Sequence, residues 1–442
     1  MSDPSPQTDK LRPKALVLGG YGMIGHACLR MLDQNGFEVV GVGRSVRSAR
    51  AVDPDGAWII QDIASATVSD WRAMLDGVDV IVNASGALQD GGKDDLEAIH
   101  VTAIQRLVEA ASGQSCRIIQ ISAAGVSETA STEFFRSKAR GEAELVAKAH
   151  DHVILRPTLV MSQEAYGGTA LLRAAAAIPL IHPQVFSESL IQTVHVQDVA
   201  DAVMKAANGV IPSGTIADLT ESNSQSFPDL LTATRRWLGF KPPVLTIAVP
   251  EILLSAIGKV ADGLAYLGWR SPLRTTAFRT LKDGVQGDAD TWARAGGTPM
   301  RPLAETFRAI PATRQERLFA RAYLALPLAI AILSLFWCVS GIIALVNPQA
   351  AMQVMFDRDA PNWIVAPMVF GGAVADIGLG LAILWRRWVK AASVGMILLS
   401  GGYILGSVLF APDLWLDPLG PMVKVIPSIA LAALVWLMVE ER

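Results

Sequence analysis

The sequence is poor in cysteine and has no excess of positive charge. Its three cysteines, among 442 residues, are scattered and odd in number. They predict neither a disulfide framework nor a bound metal, and they fit a reducing compartment. The net charge of −3 excludes the basic excess that is typical of nucleic-acid-binding proteins, so we expect no nucleic-acid partner.

The N-terminal residues also have no apolar run of signal-peptide length. The chain starts with the polar stretch MSDPSPQTDKLRPK, and we expect residues 1–13 to form a disordered lead. Without an export signal, the domain that follows should stay in the cytoplasm.

What the sequence does contain is a C-terminal part of high hydrophobicity. Leu324–Val346 carries no charge, and as a helix it would be about 35 Å long, against a hydrocarbon core of about 30 Å. Three further apolar runs follow. We therefore predict a four-helix transmembrane bundle over residues 320–442 with a lipid bilayer as its partner. The predicted spans lie near residues 324–346, 363–385, 391–411 and 422–439.

The charges beside these runs predict an orientation in the membrane. The loop PDLWLDPLGP, between the third and fourth spans, has no Lys or Arg. Positive-inside asymmetry then places the N-terminal domain and the C-terminus on the cytoplasmic side of the inner membrane. The basic residues lie before the first span and between the second and third: Arg314, Arg317, Arg321, Arg386, Arg387 and Lys390.

Residues 14–160 show alternating strand and helix patterns. Runs such as ALVLG, EVVGVG and RIIQIS are separated by segments of helical periodicity. This alternation predicts an α/β fold, a Rossmann doubly wound parallel sheet. Residues 161–311 are mixed in pattern, with Pro and Gly punctuation, and we expect a small substrate subdomain and a connector there.

The first predicted strand runs into a glycine-rich bend. Gly19, Gly22 and Gly25 recur at three-residue spacing before an apolar-periodic helix. Such glycines let the backbone approach a pyrophosphate that rests on the helix N-terminus. The motif predicts a dinucleotide site, to which Tyr21, Met23 and Ile24 within the bend should also contribute.

Arg44, at the end of the second strand, bears on the choice of coenzyme. A carboxylate at this position usually selects NAD, whereas a guanidinium suits a 2′-phosphate. The sequence therefore favours NADP(H) over NAD(H). The alternative is that Arg44 is a solvated surface side chain.

Further motifs follow in the order of a known family. They are Asp62 with Ile63 after the third strand, Ala84, Ser85 and Gly86 within NASG, Pro157 within LRPT, and the stretch VHVQDVA. Over residues 14–310 the chain resembles the extended and atypical short-chain dehydrogenases, in particular the branch related to the nucleotide-binding accessory subunit of respiratory complex I. The C-terminal part resembles the DoxX-like four-helix membrane domain. The resemblance implies that these residues line a nicotinamide dinucleotide.

The resemblance also exposes a departure in the catalytic set. In the family, a Tyr four residues before a Lys donates a proton while the Lys binds the nicotinamide ribose. Lys138 matches that Lys, but Phe134 stands at the Tyr position. Ser122 is the candidate hydroxyl, although the family position aligns better with Ala124. Lys138 and Ser122 are therefore the predicted catalytic residues, and the alternative for Lys138 is a solvated helix lysine.

Two functions remain open from the sequence. The first is a membrane-anchored NAD(P)H-dependent oxidoreductase for an apolar substrate such as a quinone, an isoprenoid or a lipid carbonyl. The second is a non-catalytic nucleotide-binding scaffold or redox sensor that docks on a membrane protein partner. Asp376 in mid-span would cost about 2.5–3.5 kcal/mol if exposed to lipid, so it predicts either a proton or ligand site or an interhelical hydrogen bond.

Overall fold

The computed structural model describes residues 12–88, 90–91, 94–269, 273–358, 360–418 and 420–439. Most of the predicted lead, residues 270–272 of the predicted connector and the last three residues lie outside the described residues. The chain divides into two compact units. The N-terminal unit comprises residues 1–259 and 272–317, and the C-terminal unit comprises residues 260–271 and 318–442.

A seven-stranded parallel sheet forms the centre of the N-terminal unit. Its strand order is β11-β6-β5-β4-β1-β2-β3, which confirms the predicted doubly wound fold because the order reverses beside β1. The seventh strand comes from the range that we assigned to the substrate subdomain. The strands are β1 (Lys14–Leu18), β2 (Glu38–Gly43), β3 (Trp58–Ile60), β4 (Val80–Asn83), β5 (Arg117–Ile121), β6 (His152–Pro157) and, further along the chain, β11 (Thr215–Leu219).

The sheet is apolar on both faces, as its continuous hydrophobic strands require. Ala15 and Val17 of β1 point into one core cluster, and Leu16 and Leu18 point into the other. This alternation follows from the two-residue period of a strand. Each cluster is completed by helices that pack on its side of the sheet.

Seven α-helices begin within the first two hundred residues of the described chain. A π-helical turn, Ala98–Thr102, runs directly into the fourth. The helices are α1 (Met23–Gln34), α2 (Val46–Val52), α3 (Val68–Met74), α4 (Ala103–Ala111), α5 (Glu133–Lys148), α6 (Gly168–Ala176) and α7 (Val196–Ala207), the last of which closes the sheet on the side of α1.

Short strand pairs and further helices follow the main sheet. The pairs are β7 (Leu159–Met161) with β10 (Thr193–His195), β9 (Leu190–Ile191) with β12 (Gln225–Ser226), and β8 (Ile181–Gln184) with β13 (Leu245–Ala248). The helices are α8 (Phe227–Trp237), α9 (Glu251–Tyr266), α10 (Thr275–Asp283), α11 (Ala289–Arg294) and α12 (Leu303–Ala309).

The C-terminal unit is helical. Among the residues that the structure describes, three of its helices are long and apolar enough to cross a membrane, whereas the fourth predicted span forms the shorter apolar helix α17. The helix α14 lies between the first two spans, in a stretch for which we made no prediction. The helices are α13 (Arg314–Val346), α14 (Pro348–Phe356), α15 (Asn362–Ala382), α16 (Val389–Phe410) and α17 (Val425–Met438).

Candidate functional site

The glycine bend between β1 and α1 has the geometry of a phosphate cradle. Gly19 has a φ of +70°, and a β-carbon there would lie 2.9 Å from the carbonyl oxygen of Ala84. A β-carbon at Gly25 would lie 2.2 Å from the carbonyl oxygen of Gly19. Gly22 is the N-cap of α1 and has no side chain to occupy the helix N-terminus. The backbone N–H groups there are thus open to an anion.

Two other bend residues contribute to the core. Met23 and Ile24 are partly buried against the core cluster that contains Ala15 and Val17. They therefore hold α1 against the sheet, and their backbone atoms rather than their side chains belong to the predicted site.

Arg44 follows β2, as predicted, but it is paired with a carboxylate. Its guanidinium lies 2.6 Å from Oδ1 of Asp94, a residue fifty positions later that the motif comparison did not include. The backbone N–H of Arg44 donates to Oη of Tyr21 at 3.3 Å. A 2′-phosphate at Arg44 would therefore share the guanidinium with Asp94.

Asp62 and Ile63 lie just beyond β3. Oδ1 of Asp62 accepts the N–H of Ala64 at 3.1 Å, which shapes the turn. Ile63 is buried in the core cluster of Leu16. The Asp62 carboxylate is half-buried, and within the described ranges only its Oδ1 atom accepts a hydrogen bond.

The segment after β4 is organised by a buried amide. The Asn83 side chain donates to Oε1 of Gln120 at 2.8 Å. Its oxygen accepts both the N–H and the hydroxyl of Ser85, while the N–H of Ala84 continues the ladder to Leu18 at 3.1 Å. These bonds hold the segment that begins at Ala84 beside the glycine bend, where Gly19 lies against Ala84 and Ser85. Gln120 is a structural residue that the motif search missed.

Lys138 of α5 is buried and reaches this same segment. A β-carbon at Gly86 would lie 3.8 Å from Nζ. Among the described residues the ammonium makes one hydrogen bond, to the carbonyl oxygen of Ile121 at 3.3 Å. Burial lowers the pKa of Lys138 to about 8, although the Glu142 carboxylate acts in the opposite direction. The solvated-lysine alternative is wrong, because the side chain is buried. Its one hydrogen bond among the described residues leaves N–H donors for a ligand.

Phe134 lies on the same face of α5 as Lys138. Nζ of Lys138 is 5.6 Å from the centre of the Phe134 ring. The ring is half-buried and meets the His100 ring edge-on at 5.9 Å. A hydroxyl at this ring would be near the ammonium, but a phenyl group supplies no proton.

His100, which sequence reasoning missed, is a buried neutral histidine beside these two residues. Its Nε2 accepts the N–H of Ala87 at 3.3 Å, and its Nδ1 lies 2.8 Å from Oγ of Ser137. The Ser137 hydroxyl can donate onward to the carbonyl oxygen of Phe134 at 3.2 Å. Burial and the nearby Lys138 charge lower the pKa of His100 to about 3. The imidazole therefore positions α5 against the Gly86 segment and is not a proton donor at neutral pH.

Ser122 and Pro157 lie at the ends of β5 and β6. Oγ of Ser122 is buried and, within the described part of the chain, has no hydrogen-bond partner. The carbonyl oxygen of Pro157 accepts the N–H of Ala124 at 3.0 Å, which places the two strand ends together. An orphaned buried hydroxyl is uncommon and fits a site for a polar ligand group.

The carboxylate of Glu142, one turn after Lys138, is hydrogen-bonded to a residue other than Lys138. Both of its carboxylate oxygens accept from the guanidinium of Arg156 on β6. This buried pair ties α5 to the sheet, and Glu142 is therefore not available as an acid.

The C-terminal unit contains a second polar cluster. Asp376 of α15 is buried, and its two oxygens accept from Oη of Tyr403 at 2.8 Å and from Oγ of Ser340 at 3.1 Å. The partner Tyr403 agrees with the expected interhelical bond. Ser340, on the first span, was not anticipated.

Comparison with known families agrees with both units. Residues 19–209 match the family described as NAD(P)H-binding, and residues 334–433 match the DoxX-like family. No curated protein matches the chain in sequence.

Many solved structures share the fold of the N-terminal part. The Bordetella bronchiseptica enzyme WbmG in complex with NAD has a TM-score of 0.52 at 16% identity, over 69% of this chain and 94% of that chain. WbmH from the same organism, in complex with NAD+, has a TM-score of 0.51 at 17% identity, over 68% and 97%. The UDP-glucose 4-epimerase of Thermotoga maritima, with UDP-glucose, has 0.50 at 14% identity, over 70% and 99%. Identities this low show the fold alone.

These matches confirm the two-part architecture, with a nucleotide-binding α/β part and a DoxX-like part, that the motifs indicated. The apolar helices and the DoxX-like match indicate a membrane protein. The chain combines a Rossmann-fold part that matches the NAD(P)H-binding family with a C-terminal part that matches the DoxX-like family.

Proposed function

We propose that this protein is a membrane-anchored NAD(P)H-dependent oxidoreductase for an apolar, membrane-borne acceptor: a quinone, an isoprenoid or a lipid carbonyl. The observation that carries the proposal is Lys138. A buried ammonium is costly unless something compensates for its lost hydration. Its single hydrogen bond among the described residues leaves two N–H donors, and a nucleotide ribose would supply the acceptors.

The residues at this site favour some acceptors over others. A bound NAD(P)H would supply a hydride to the acceptor. Reduction of a ketone leaves an alkoxide that is about as basic as hydroxide, and Phe134 offers it no proton. Reduction of a quinone leaves a phenolate-like oxygen, with a pKa near 10, which takes its proton from water. The Phe134 site is therefore better suited to a quinone than to a ketone.

Arg44 supports a preference for NADP(H). Its backbone lies beside the glycine bend, because its backbone N–H donates to Oη of Tyr21. The pair with Asp94 holds the guanidinium in place and lowers its net charge toward a 2′-phosphate, so we propose a modest preference. An Arg44→Asp variant should lose affinity for NADPH more than for NADH, and unchanged NADPH binding would overturn the preference.

The flanking charges support a location in the inner membrane, with the N-terminal unit on the cytoplasmic side. Arg386, Arg387 and Lys390 lie between the second and third spans, and the loop after the third has no basic residue up to Met422. This asymmetry is the usual determinant of orientation. The lipid bilayer and an apolar small molecule are the partners that this location implies.

The experiment is a coenzyme titration of the full chain in nanodiscs, followed by NADPH oxidation with a short-chain quinone. Lys138→Met should weaken NADPH binding about 10- to 100-fold, since a hydrogen bond to a charged group is worth about 1.5–3 kcal/mol. Lys148→Met is the matched control, because Lys148 is an exposed lysine on the same helix, paired with Glu144. Equal affinities for the two variants would contradict the proposal.

The same titration has a pH dependence with a definite sign. The free protein holds Lys138 protonated below its pKa of about 8. Coenzyme binding favours the protonated form, so the affinity should be constant below that pH and fall as pH rises above it. The dependence should disappear in Lys138→Met. NADH is the suitable probe because it has no 2′-phosphate to titrate.

The second function, a scaffold or redox sensor, is favoured by one observation. Phe134 removes the proton donor while the ring still packs against His100, so the site could bind coenzyme without turning it over. Tight coenzyme binding without NADPH oxidation, across a panel of quinones and carbonyl compounds, would support this alternative and exclude the enzyme.

A further inference from the structure

Asp94 lies between β4 and the π-helical turn Ala98–Thr102, and hydrogen bonds to nearby residues fix its backbone. Its N–H donates to the carbonyl oxygen of Gly91 at 3.2 Å, and the N–H of Gly91 donates to the carbonyl oxygen of Asp94 at 2.8 Å. The N–H of Leu96 donates to Oδ1 of Asp90 at 2.8 Å. The Asp94 side chain therefore projects from a defined position.

The Asp94 carboxylate reaches the residue that follows β2. Its Oδ1 atom lies 2.6 Å from the guanidinium of Arg44, and the side chains of Asp94 and Arg44 are 20% and 33% exposed. Charges that are partly buried are screened less by salt than charges on the open surface. The two residues are 50 positions apart in the chain, so no local motif predicts their contact.

The position of Arg44 is the one that meets the adenosine ribose in Rossmann folds, at the end of the second strand. A β-carbon at Gly43, the last residue of β2, would lie 2.1 Å from the Tyr21 ring, so this strand end lies against the glycine bend. Burial opposes the charge on Arg44, but Asp94, with a smaller contribution from Asp62, raises the pKa of Arg44 above its usual value. The guanidinium is thus within electrostatic range of the carboxylate that follows β3.

This contact brings a carboxylate to a place where many dinucleotide sites have one. In NAD-selective Rossmann sites, an acidic residue at the end of the second strand accepts the ribose hydroxyls. In this chain that position is basic, and the acidic side chain comes from the segment after β4. A guanidinium, which suits a 2′-phosphate, therefore lies beside a carboxylate, which suits a 2′-hydroxyl.

We propose that Asp94 is a specificity-determining residue, which accepts the 2′-hydroxyl of NADH and competes with the 2′-phosphate of NADPH for Arg44. When NADPH is bound, the carboxylate and the phosphate also repel each other, because both are negative. Asp94 thus keeps the preference for NADPH small. The inference rests on the coenzyme binding of the proposed function, but it does not require turnover.

The test is a titration of the full chain in nanodiscs with NADPH and with NADH at constant ionic strength. Asp94→Asn keeps the size of the side chain and removes its charge. NADPH should bind about 10-fold more tightly, which corresponds to about 1.4 kcal/mol, because the guanidinium loses its competing anion. NADH should bind about 3- to 10-fold more weakly, because a charge-assisted hydrogen bond is roughly twice as strong as a neutral one.

The matched control is Asp95→Asn, which removes the same charge one residue further along the chain. Asp95 is exposed, and its Oδ1 atom accepts the N–H of Ala98 at 2.9 Å, a bond that Asn can also make. Both affinities should stay within about 2-fold of the wild-type values, because solvent and salt screen an exposed charge. Equal effects of Asp95→Asn and Asp94→Asn would overturn the proposal.

Arg44→Met shows whether the guanidinium mediates the effect on NADPH. In that background, Asp94→Asn should tighten NADPH binding by less than about 3-fold, because a coupling between two side chains disappears when one of them is absent. The same gain with and without Arg44 would show that Asp94 does not act by competition for the guanidinium, and would overturn the proposal.

The signs of the two changes distinguish this role from a purely structural one. If Asp94 only held Arg44 in place, Asp94→Asn would weaken NADPH binding, and that result would overturn the proposal, as would equal changes for both coenzymes. Normal coenzyme binding without these shifts would overturn this inference alone. A wild-type chain that bound neither coenzyme would overturn the proposed function together with it.

Discussion

Phe134 decides what chemistry the site can perform. The ring lies beside the buried ammonium of Lys138 and against His100, so the geometry of a Tyr–Lys pair is present without the phenol. His100 does not replace the missing acid, because its pKa of about 3 leaves no proton to give at neutral pH. The proton must come from water, or the reaction must not need a strong donor.

Restoring the phenol is therefore an informative change. We predict that Phe134→Tyr raises reduction of an aliphatic carbonyl probe by about 100-fold or more, because general acid catalysis contributes about 10²–10⁴-fold. NADPH oxidation with the probe is the measurement. The control is Phe135→Tyr, since Phe135 is buried next to Phe134 but off the site. An equal response of both variants, or of neither, would show that the phenol position is not that of a proton donor.

Helix α5 joins the catalytic candidates to the sheet. Its Glu142 forms an ion pair with Arg156 on β6, and its Ser137 hydroxyl is hydrogen-bonded to the His100 ring. Its Gly141 lets the preceding helix approach closely. A β-carbon at Gly141 would lie 1.9 Å from the carbonyl oxygen of His100. The close contact explains a glycine in the middle of a helix, where Ala would otherwise be better by about 1 kcal/mol.

This contact predicts the sign of a substitution. Gly141→Ala should lower the thermal midpoint of the N-terminal unit and weaken NADPH binding, because overpacking costs about 1–3 kcal/mol and the clash displaces His100. Gly168→Ala is the control: Gly168 is also helical, and a β-carbon there meets nothing within 4 Å. A rise of the midpoint in Gly141→Ala, as propensity alone would give, would contradict the assigned contact.

At the scale of the whole molecule, the two parts of the chain follow different rules of burial. The N-terminal unit encloses its apolar side chains in two clusters on either side of a sheet. The C-terminal unit leaves many large apolar side chains exposed along its helices, Leu328 and Leu335 among them, which is favourable only in lipid. Asp376 is the exception there, and its two hydroxyl partners satisfy the carboxylate inside the bundle.

The proposed orientation can be tested with two exposed positions. In a Cys338→Ala background, Leu416→Cys should react in intact cells with a maleimide that does not cross the inner membrane. Tyr166→Cys should react only after lysis. Both side chains are highly exposed, so a difference in labelling between the two positions cannot be caused by burial within the protein. The opposite pattern of labelling would reverse the orientation, and labelling of both in intact cells would exclude a sealed membrane between them.

Local patterns were enough for the elements that form the nucleotide site. The glycine spacing placed Gly19, Gly22 and Gly25 at a strand–helix bend because the turn itself needs residues without a β-carbon. Strands with continuous apolar runs were also recognised from local sequence, because a strand that is buried on both faces must be apolar along its whole length. The short strand TIADL of β11 was missed, because its five residues alternate in polarity and are interrupted by Asp218.

The sequence by itself determined that the chain has a dinucleotide-binding α/β part and an apolar helical part, because glycine spacing, strand runs and uncharged spans are properties of neighbouring residues. Only the tertiary structure decided that Arg44 meets Asp94 and that His100 meets Ser137. It also decided that Lys138 is buried and makes one hydrogen bond, to Ile121, within the described part of the chain. The physical reason is distance along the chain. Those partners are separated by tens of residues, and folding alone brings their charges and dipoles within hydrogen-bond range.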